Sequence, residues 1–324
     1  VYDISAKRYT AQLFRTAVGS IKLSETKHPT FWHPRYWANW LGIAVLRLIS
    51  WLPFNWQLTL GAALGQLAYR LASDRRHIAT TNIRLCFPEL ASKQQQELVQ
   101  QIFRNNGRGI IETGFAWTGR ILELQDRIQI SGLEHLQQAA SEGNGVMLLG
   151  MHFSTLDLCG AALAREVPFD VMYRRNKNIL LESVMREGRI RNFPSAIERS
   201  DVRAVVRALK AGHVVWYGPD QDYGRKHSVF APFFGIQAAS ITATARILRM
   251  TSASVIVFSH RRTKDNRYLI ELSKPLKDFP TFDEVKDATR INRLVEKAIR
   301  LAPDQYWWVH RRFKTRPQGE PRPY

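Results

Sequence analysis

Along the first third of the chain, apolar positions recur at helical spacing. Tyr36 to Leu52 reads YWANWLGIAVLRLISWL, and 13 of these 17 residues are apolar. As a helix it spans roughly 26 Å at about 1.5 Å per residue, against a bilayer hydrocarbon core of about 30 Å. Trp37, Trp40 and Trp51 fall near its ends, where indole rings favour the headgroup boundary, and Arg47 interrupts it. The segment is expected either to span a membrane marginally or to lie in the interface. It is not expected to be a cleavable leader, because no small-residue cleavage site follows it. Trp56 to Leu71 continues as an apolar-striped helix whose Gly61-x-x-x-Gly65 permits close approach of a neighbour. Ser92–Phe103 and Ile110–Ile121 are predicted as two further helices.

From about residue 127 the texture changes. Short β-rich runs at 127–131, 145–150, 169–174, 213–217, 253–259 and 268–273 alternate with amphipathic stretches near 154–165, 178–190, 201–211, 239–250 and 286–301. This alternation predicts an α/β fold with a mostly parallel central sheet flanked by helices. A helical, membrane-anchoring region precedes it. The organisation expected is a polar basic segment over 1–35, a membrane-spanning or interfacial helix over 36–52, and a main domain over 53–324. That domain is helical over 53–126 and α/β over 127–324. The basic, proline-containing tail HRRFKTRPQGEPRPY is expected to lie extended on the surface, and Trp307 and Trp308 beside it to form an amphipathic surface.

Composition narrows the partners. The 324 residues are 45% hydrophobic, which excludes wholesale disorder. Forty-seven Lys and Arg against 28 Asp and Glu give a net charge of +19. Such a balance suits nucleic acid, an anionic membrane surface or acidic substrates and carrier proteins, and does not by itself separate them. Residues 1–35 carry +4 of it, with Lys22 and Lys27 ahead of the apolar segment. Cys86 and Cys159 stand alone in apolar surroundings, without the spacing of a structural zinc site.

The stretch that carries chemistry is GNGVMLLGMHFSTLDLCGAAL, residues 143–163. An apolar strand runs into Gly-Met-His and then a helix, and the carboxyl ends of strands are where open α/β sheets bind ligands. His152 stands there, and Asp157 follows in the first helical turn. A carboxylate so placed can accept one ring N–H, fix the tautomer and stabilise the imidazolium. The other nitrogen is then free to take a proton from a substrate hydroxyl. Ser154 and Thr155 read as helix-capping residues.

Further blocks follow other strands. MYRRN (172–176) places Arg174 and Arg175 at a strand end, where guanidinium forks suit phosphate or a developing oxyanion, with Asn176 supporting the turn. WYGPDQDYG (216–224) offers Asp220 and Asp222 in a tight loop, as turn residues or as groups that orient an arginine or contact an acceptor. Aspartates close to His152 would also raise its pKa. APFFG (231–235) reads as apolar and turn-like, lining a groove or packing in the core, and His213 and His227 as structural or exposed.

Taken in order, HPRYW (33–37), NIRLCFPEL (82–90), ETGFAW (112–117), GMHFSTLD (150–157), MYRRN, WYGPDQDYG, SVFAPFFG (228–235) and HRRFKTRP (310–317) resemble the late acyltransferases of lipid A biosynthesis. These enzymes lie within the wider H-x4-D glycerolipid acyltransferase superfamily. The tail and the WYGPDQDYG block look most like the lauroyl or palmitoleoyl branch. The resemblance implies an enzyme of the bacterial inner membrane whose catalytic domain faces the cytoplasm. Such an enzyme moves a fatty acyl chain, lauroyl-like for this branch, from acyl carrier protein to a 3-hydroxyacyl hydroxyl of a Kdo-bearing lipid A precursor. It implies His152 and Asp157 as catalytic residues, with Arg174, Arg175, Asn176, Asp220 and Asp222 binding substrate. Neither metal nor cofactor is expected, nor nucleic acid as a partner. Two readings compete: an acyltransferase acting on a glycerol phosphate lipid, and a non-catalytic basic module binding membrane or nucleic acid. The second leaves the H-x4-D junction without a purpose. Asp157 stands where many members of this branch carry glutamate, Arg175 where proline is common, and residues 1–30 resemble nothing in the family.

Overall fold

The computed structural model describes Phe31 and residues 33–324. The basic segment expected at 1–35 therefore falls almost wholly outside the described residues. A 3-10 turn at Pro34–Tyr36 leads into α1 (Trp37–Ile49). Its 13 residues make about 20 Å of helix, well below a bilayer core. No described helix is long and apolar enough to cross a membrane. The helix stops short of the predicted Leu52 because the Ser50 hydroxyl turns back to the Arg47 carbonyl, and Pro53 starts the next helix. No residue of α1 is buried, although most are apolar.

Helix α2 (Phe54–Leu71) packs along α4 (Ser92–Trp117), with α3 (Ser73–Cys86) between them in the chain. The Gly61-x-x-x-Gly65 motif serves that contact as expected. A Cβ at Gly65 would lie 2.1 Å from the Phe103 carbonyl oxygen, and one at Gly107 would lie 2.1 Å from that of Gly61. This also explains why α4 is one helix of 26 residues where two were predicted. The NNGRG stretch at 105–109 costs helix propensity, about 1 kcal/mol per glycine, but its glycines admit α2 and hold the helix continuous by packing.

The sheet contains β1 (Ile128–Ser131), β2 (Val146–Leu149), β3 (Asp170–Tyr173), β4 (Ala196–Glu198), β5 (Val214–Tyr217), β8 (Ser254–Arg262) and β9 (Tyr268–Leu272). Its order is β1-β9-β8-β2-β5-β3-β4, parallel except between β8 and β9. Strand β2 sits at the centre, with Val146 opposite Val214 on one side and Ser254 on the other. Both β2 and β5 are buried along their whole length, which is why they read as unbroken apolar runs. Helices α5 (Leu133–Ser141), α6 (Leu156–Glu166), α7 (Ile179–Ile190), α8 (Val202–Lys210), α9 (Ala243–Arg249) and α10 (Glu284–Leu301) complete the α/β fold. One core cluster joins Ile83, Ile102 and Phe103 of the helical part to Leu149, Tyr217 and Val257 of the sheet.

Three expectations are corrected. Residues 228–241 form a hairpin, β6 (Ser228–Phe233) with β7 (Ile236–Ile241), turned through Phe234 (φ 51) and Gly235 (φ 76). Two consecutive positive-φ residues are what a two-residue hairpin loop demands, so the turn expected of APFFG closes a hairpin, and α9 begins at 243 rather than 239. The start of the tail is anchored rather than lying on the surface: Arg312 and Phe313 are buried, and the Arg312 guanidinium donates to the Ala239 carbonyl at 2.8 Å and to the Ser240 hydroxyl at 3.1 Å, while residues 318–322 are exposed as expected. Trp308 is buried too, its indole N–H bonded to the Pro303 carbonyl, while Trp307 stays partly exposed.

Gly107→Ala drives a methyl into the Gly61 carbonyl and should destabilise by about 1–3 kcal/mol or more. Gly114→Ala, where an added Cβ meets nothing within 4 Å, should be neutral or stabilise by roughly 0.5–1 kcal/mol. Urea unfolding of both variants checks the pair; equal stabilities would remove the close α2–α4 contact from the account.

Candidate active site

Strand β2 ends at Leu149 and the chain turns at once. A Cβ on Gly150 would lie 2.0 Å from the Trp216 indole nitrogen, so glycine is required for the turn. Met151 is buried, and His152 follows with its side chain 30% exposed. The loop is stitched to the segment after α10: Trp307 N–H donates to the His152 carbonyl at 2.9 Å, and Ser154 N–H to the Gln305 carbonyl at 2.8 Å. The Trp216 ring meets the imidazole edge-on, with centroids 5.6 Å apart, and a Cβ on Gly218 would come within 2.9 Å of it.

Because β2 and β5 are adjacent and parallel, the loop after β5 lies beside this turn. It delivers Asp220, which is buried. One carboxylate oxygen accepts the His152 backbone N–H at 2.9 Å, and the other lies 2.6 Å from Nδ1. An ionised carboxylate only accepts, so this contact selects the Nδ1–H tautomer and leaves Nε2 with a lone pair. Among the described residues Nε2 has no hydrogen-bond partner. Burial alone would lower the pKa of His152. The charge and hydrogen bond of Asp220, with a smaller contribution from Asp157, outweigh burial and raise it above the ordinary 6.5. Burial would likewise raise Asp220, but the His152 charge and hydrogen bonds hold it below the ordinary carboxylate value.

The expected pairing of His152 with Asp157 is not the one Nδ1 makes. Asp157 stands in the first turn of α6 and accepts the Thr113 hydroxyl of α4 at 2.9 Å. It lines the same cavity as His152. Asp220 was read as a substrate group, and it is the residue that grips the imidazole. Its neighbour Asp222 points elsewhere, accepting Thr315 N–H at 2.8 Å and Gly224 N–H at 2.8 Å, and so ties the tail to the loop. Ser154 and Thr155 do not cap α6. The Thr155 hydroxyl pairs with His260 Nδ1 at 2.8 Å, and burial pushes His260 down to about 3, so that histidine is neutral.

Arg174 lines the cavity at the carboxyl end of β3. Arg175 and Asn176 are not among its lining residues. Arg175 is exposed, while the Asn176 backbone N–H donates to Glu182 at 2.7 Å and its side-chain oxygen accepts Asn178 N–H at 2.9 Å, the supporting part expected of it. His213 bonds Asp170 away from the site, and His227 reaches the cavity wall. Phe233 packs in the core and lines no groove. Sequence reasoning missed Thr113, Arg189 and Arg199 at the cavity; only Thr113 lies in a block singled out, ETGFAW.

The cavity is large, 1440 Å³. Gly160, Phe169 and Phe193 make an apolar arm, Trp117 sits against Gly188, and Ile43 and Leu46 of α1 wall one side. An imidazole with an unpaired nitrogen beside an apolar recess of this size is an arrangement that can take up a proton next to a long hydrocarbon ligand. A family model described as bacterial lipid A biosynthesis acyltransferase matches residues 25–315. The chain is 40% identical to the lipid A biosynthesis lauroyltransferase of Escherichia coli K12 over 90% of its length and 96% of that protein. To the palmitoleoyltransferase of the same organism it is 38% identical, over 90% and 95%. With the myristoyltransferase identity drops to 28%, over 91% and 92%. The chain belongs to the bacterial lipid A biosynthesis acyltransferase family and is an acyltransferase.

A histidine acting as a base must be neutral, so with His152 in that role its raised pKa would place the acid limb of kcat/KM above pH 6.5. Asp220→Asn should move that limb to lower pH and reduce kcat by about 10²–10⁴-fold, with Asp157→Asn moving it less. A pH–rate profile of the three proteins checks this. A larger displacement from Asp157→Asn would make Asp157 the controlling carboxylate.

Proposed function

We propose that this chain transfers a fatty acyl group, lauroyl-like in length, from acyl carrier protein to a 3-hydroxyacyl hydroxyl of a Kdo-bearing lipid A precursor, working on the cytoplasmic face of the bacterial inner membrane. The observation that carries the reading is His152, gripped by Asp220 on the wall of a large cavity with Nε2 unpartnered among the described residues. Nε2 takes the proton of the acceptor hydroxyl, and the oxygen attacks the thioester carbonyl. Arg174 and backbone N–H groups stabilise the tetrahedral oxyanion. The C–S bond breaks, and the imidazolium returns its proton to the departing thiolate. Asp220 offsets the imidazolium charge throughout, and Asp157 adds to it from α6. The greater identity to the lauroyl and palmitoleoyl relatives than to the myristoyl relative supports the acyl assignment. A net charge of +19 suits an acidic carrier and an anionic lipid acceptor.

Membrane attachment rests on α1 and α2. Trp37, Leu41, Val45 and Leu48 are exposed on α1 at the spacing four, four, three, and Trp56, Leu60, Leu64, Leu67 and Leu71 are exposed on α2 at four, four, three, four. Two apolar stripes of this length on adjacent helices, with Trp51 exposed between them, fit an interfacial anchor.

His152→Ala should lower transfer by about 10²–10⁴-fold while circular dichroism stays unchanged. The assay offers lipid A precursor and a glycerol phosphate lipid to one acyl carrier protein donor, with product masses read by mass spectrometry. Near-wild-type turnover would remove His152 from the chemistry, and transfer to the glycerol phosphate lipid alone would replace the acceptor. Leu41→Glu combined with Leu64→Glu should weaken sedimentation with anionic vesicles by about tenfold or more. Unchanged sedimentation would dismiss the two stripes as the anchor.

A further inference from the structure

Among the described residues six arginines line the cavity, Arg47, Arg174, Arg189, Arg191, Arg199 and Arg246, against two carboxylates, Asp157 and Glu187. Some of this charge is already matched: Glu187 pairs with Arg191 at 2.8 Å, and Arg246 with Glu284 at 2.9 Å. Asp157 faces Thr113. Three of the others gather about one tyrosine at the β3–β4 edge. Strands β3 and β4 are parallel neighbours with Tyr173 opposite Glu198, so the residues that follow, Arg174 and Arg199, emerge side by side from the carboxyl ends. Arg199 N–H donates to the Tyr173 carbonyl at 2.8 Å, which fixes that approach. From α7 the Arg189 guanidinium lies over the Tyr173 ring, 5.2 Å from its centroid.

None of these three guanidiniums makes a hydrogen bond or ion pair among the described residues. One nitrogen of Arg189, Nη1, is moreover shielded from water without a partner. A shielded guanidinium N–H left unpaired costs free energy, and three like charges on one short rim repel one another. Both penalties ease when a compact, multiply charged oxyanion sits between Arg189 and Arg199, leaving Arg174 to the reacting carbonyl, and guanidinium forks match phosphate geometry.

We propose that Arg189 and Arg199, flanking Arg174, form a phosphate-binding subsite on the wall of the catalytic cavity. The inference rests on the acyl-transfer reading above and deepens it. A bound phosphate tethers one substrate at the β3–β4 edge while its reacting group reaches His152. The phosphate can belong to the acceptor lipid's headgroup or to the phosphopantetheine arm of the donor, and these differ experimentally.

The test is steady-state transfer by the full chain, wild type against Arg199→Ala and Arg199→Lys. Each substrate is varied with and without its phosphate: intact against dephosphorylated acceptor, and acyl carrier protein against an acyl-N-acetylcysteamine thioester. Arg199 is exposed and bonded to the fold only through its backbone, so its side chain can be removed without unfolding the protein; circular dichroism checks this. Arg199→Ala should raise KM for the phosphate-bearing substrate by about ten- to a hundredfold with kcat little changed. Arg199→Lys should recover part of the loss. Without the phosphate, wild type and variant should coincide. The substrate whose KM moves identifies the source. Unchanged KM for both substrates, or a penalty that persists on the dephosphorylated forms, would overturn the subsite. If wild type transfers nothing to any lipid A precursor, the acyl-transfer reading fails separately. Calorimetric binding of inorganic pyrophosphate then still decides the subsite: weaker binding by Arg199→Ala supports it and equal binding overturns it.

Discussion

A carboxylate removed from water must find its compensation inside the protein. Asp220 finds most of it in one residue: it holds both the backbone N–H and the ring of His152. That double contact fixes where the histidine sits, which tautomer it adopts and how readily it carries a proton. Everything around it keeps the two loops in register. Adjacent β2 and β5 bring their carboxyl ends together, Gly150 lets the chain turn over Trp216, and the Tyr306 hydroxyl donates to the Asp220 carbonyl at 3.1 Å. The segment after α10 is thus part of the site's frame rather than a loose end. Arg312 and the Asp222–Thr315 contacts hold it there.

A second buried charge performs the same service for the opposite wall. Glu112 of α4 pairs with Arg262 of β8, and the Tyr268 hydroxyl of β9 donates to it at 2.6 Å. The ion pair ties the long helix to the sheet where Thr113, the next residue, reaches Asp157. Removing either partner would leave a charge uncompensated in the interior, a far larger penalty than the pair's own net contribution. The helix that α2 grips through its glycines is therefore also the helix that positions one carboxylate of the site.

How much of this was legible before the structure follows from the same physics. Strands buried on both faces read as apolar runs, so β2, β5 and β8 stood out, and with them the strand-to-helix junction carrying His152. The hairpin β6–β7 did not: Pro232 and the Phe-Phe-Gly turn disguise it, and its burial alternates only loosely. The partner of His152 was misjudged for a related reason. Asp157 is five residues away along the chain and Asp220 is 68. Only strand order, which periodicity does not encode, reveals that the distant carboxylate is the neighbour. A basic, proline-containing tail reads as surface, yet Arg312 is buried because carbonyl and hydroxyl acceptors of β7 await it. Arg189 and Arg199 fall in no block that stands out; they become visible when two strands pair and a helix crosses them.

Helix α1 then acquires a meaning that neither its length nor its composition supplies. Its exposed stripe faces away from the protein, while Ile43, Leu46 and Arg47 line the catalytic cavity. One element is therefore both a wall of the site and the proposed contact with lipid. A helix in that position does not need to span a bilayer. In the interfacial setting proposed for it, it would set the cavity beside the acyl region, and a lipid substrate would keep most of its chains in the membrane while one hydroxyl rises to Nε2. The cationic rim at β3–β4 lies at another wall of the same cavity, suited to groups that stay in water. Under the two proposals together, an amphiphilic substrate would be held by opposite physics at its two ends, apolar burial on one side and charge pairing on the other. The imidazole between them would need to recognise only a hydroxyl.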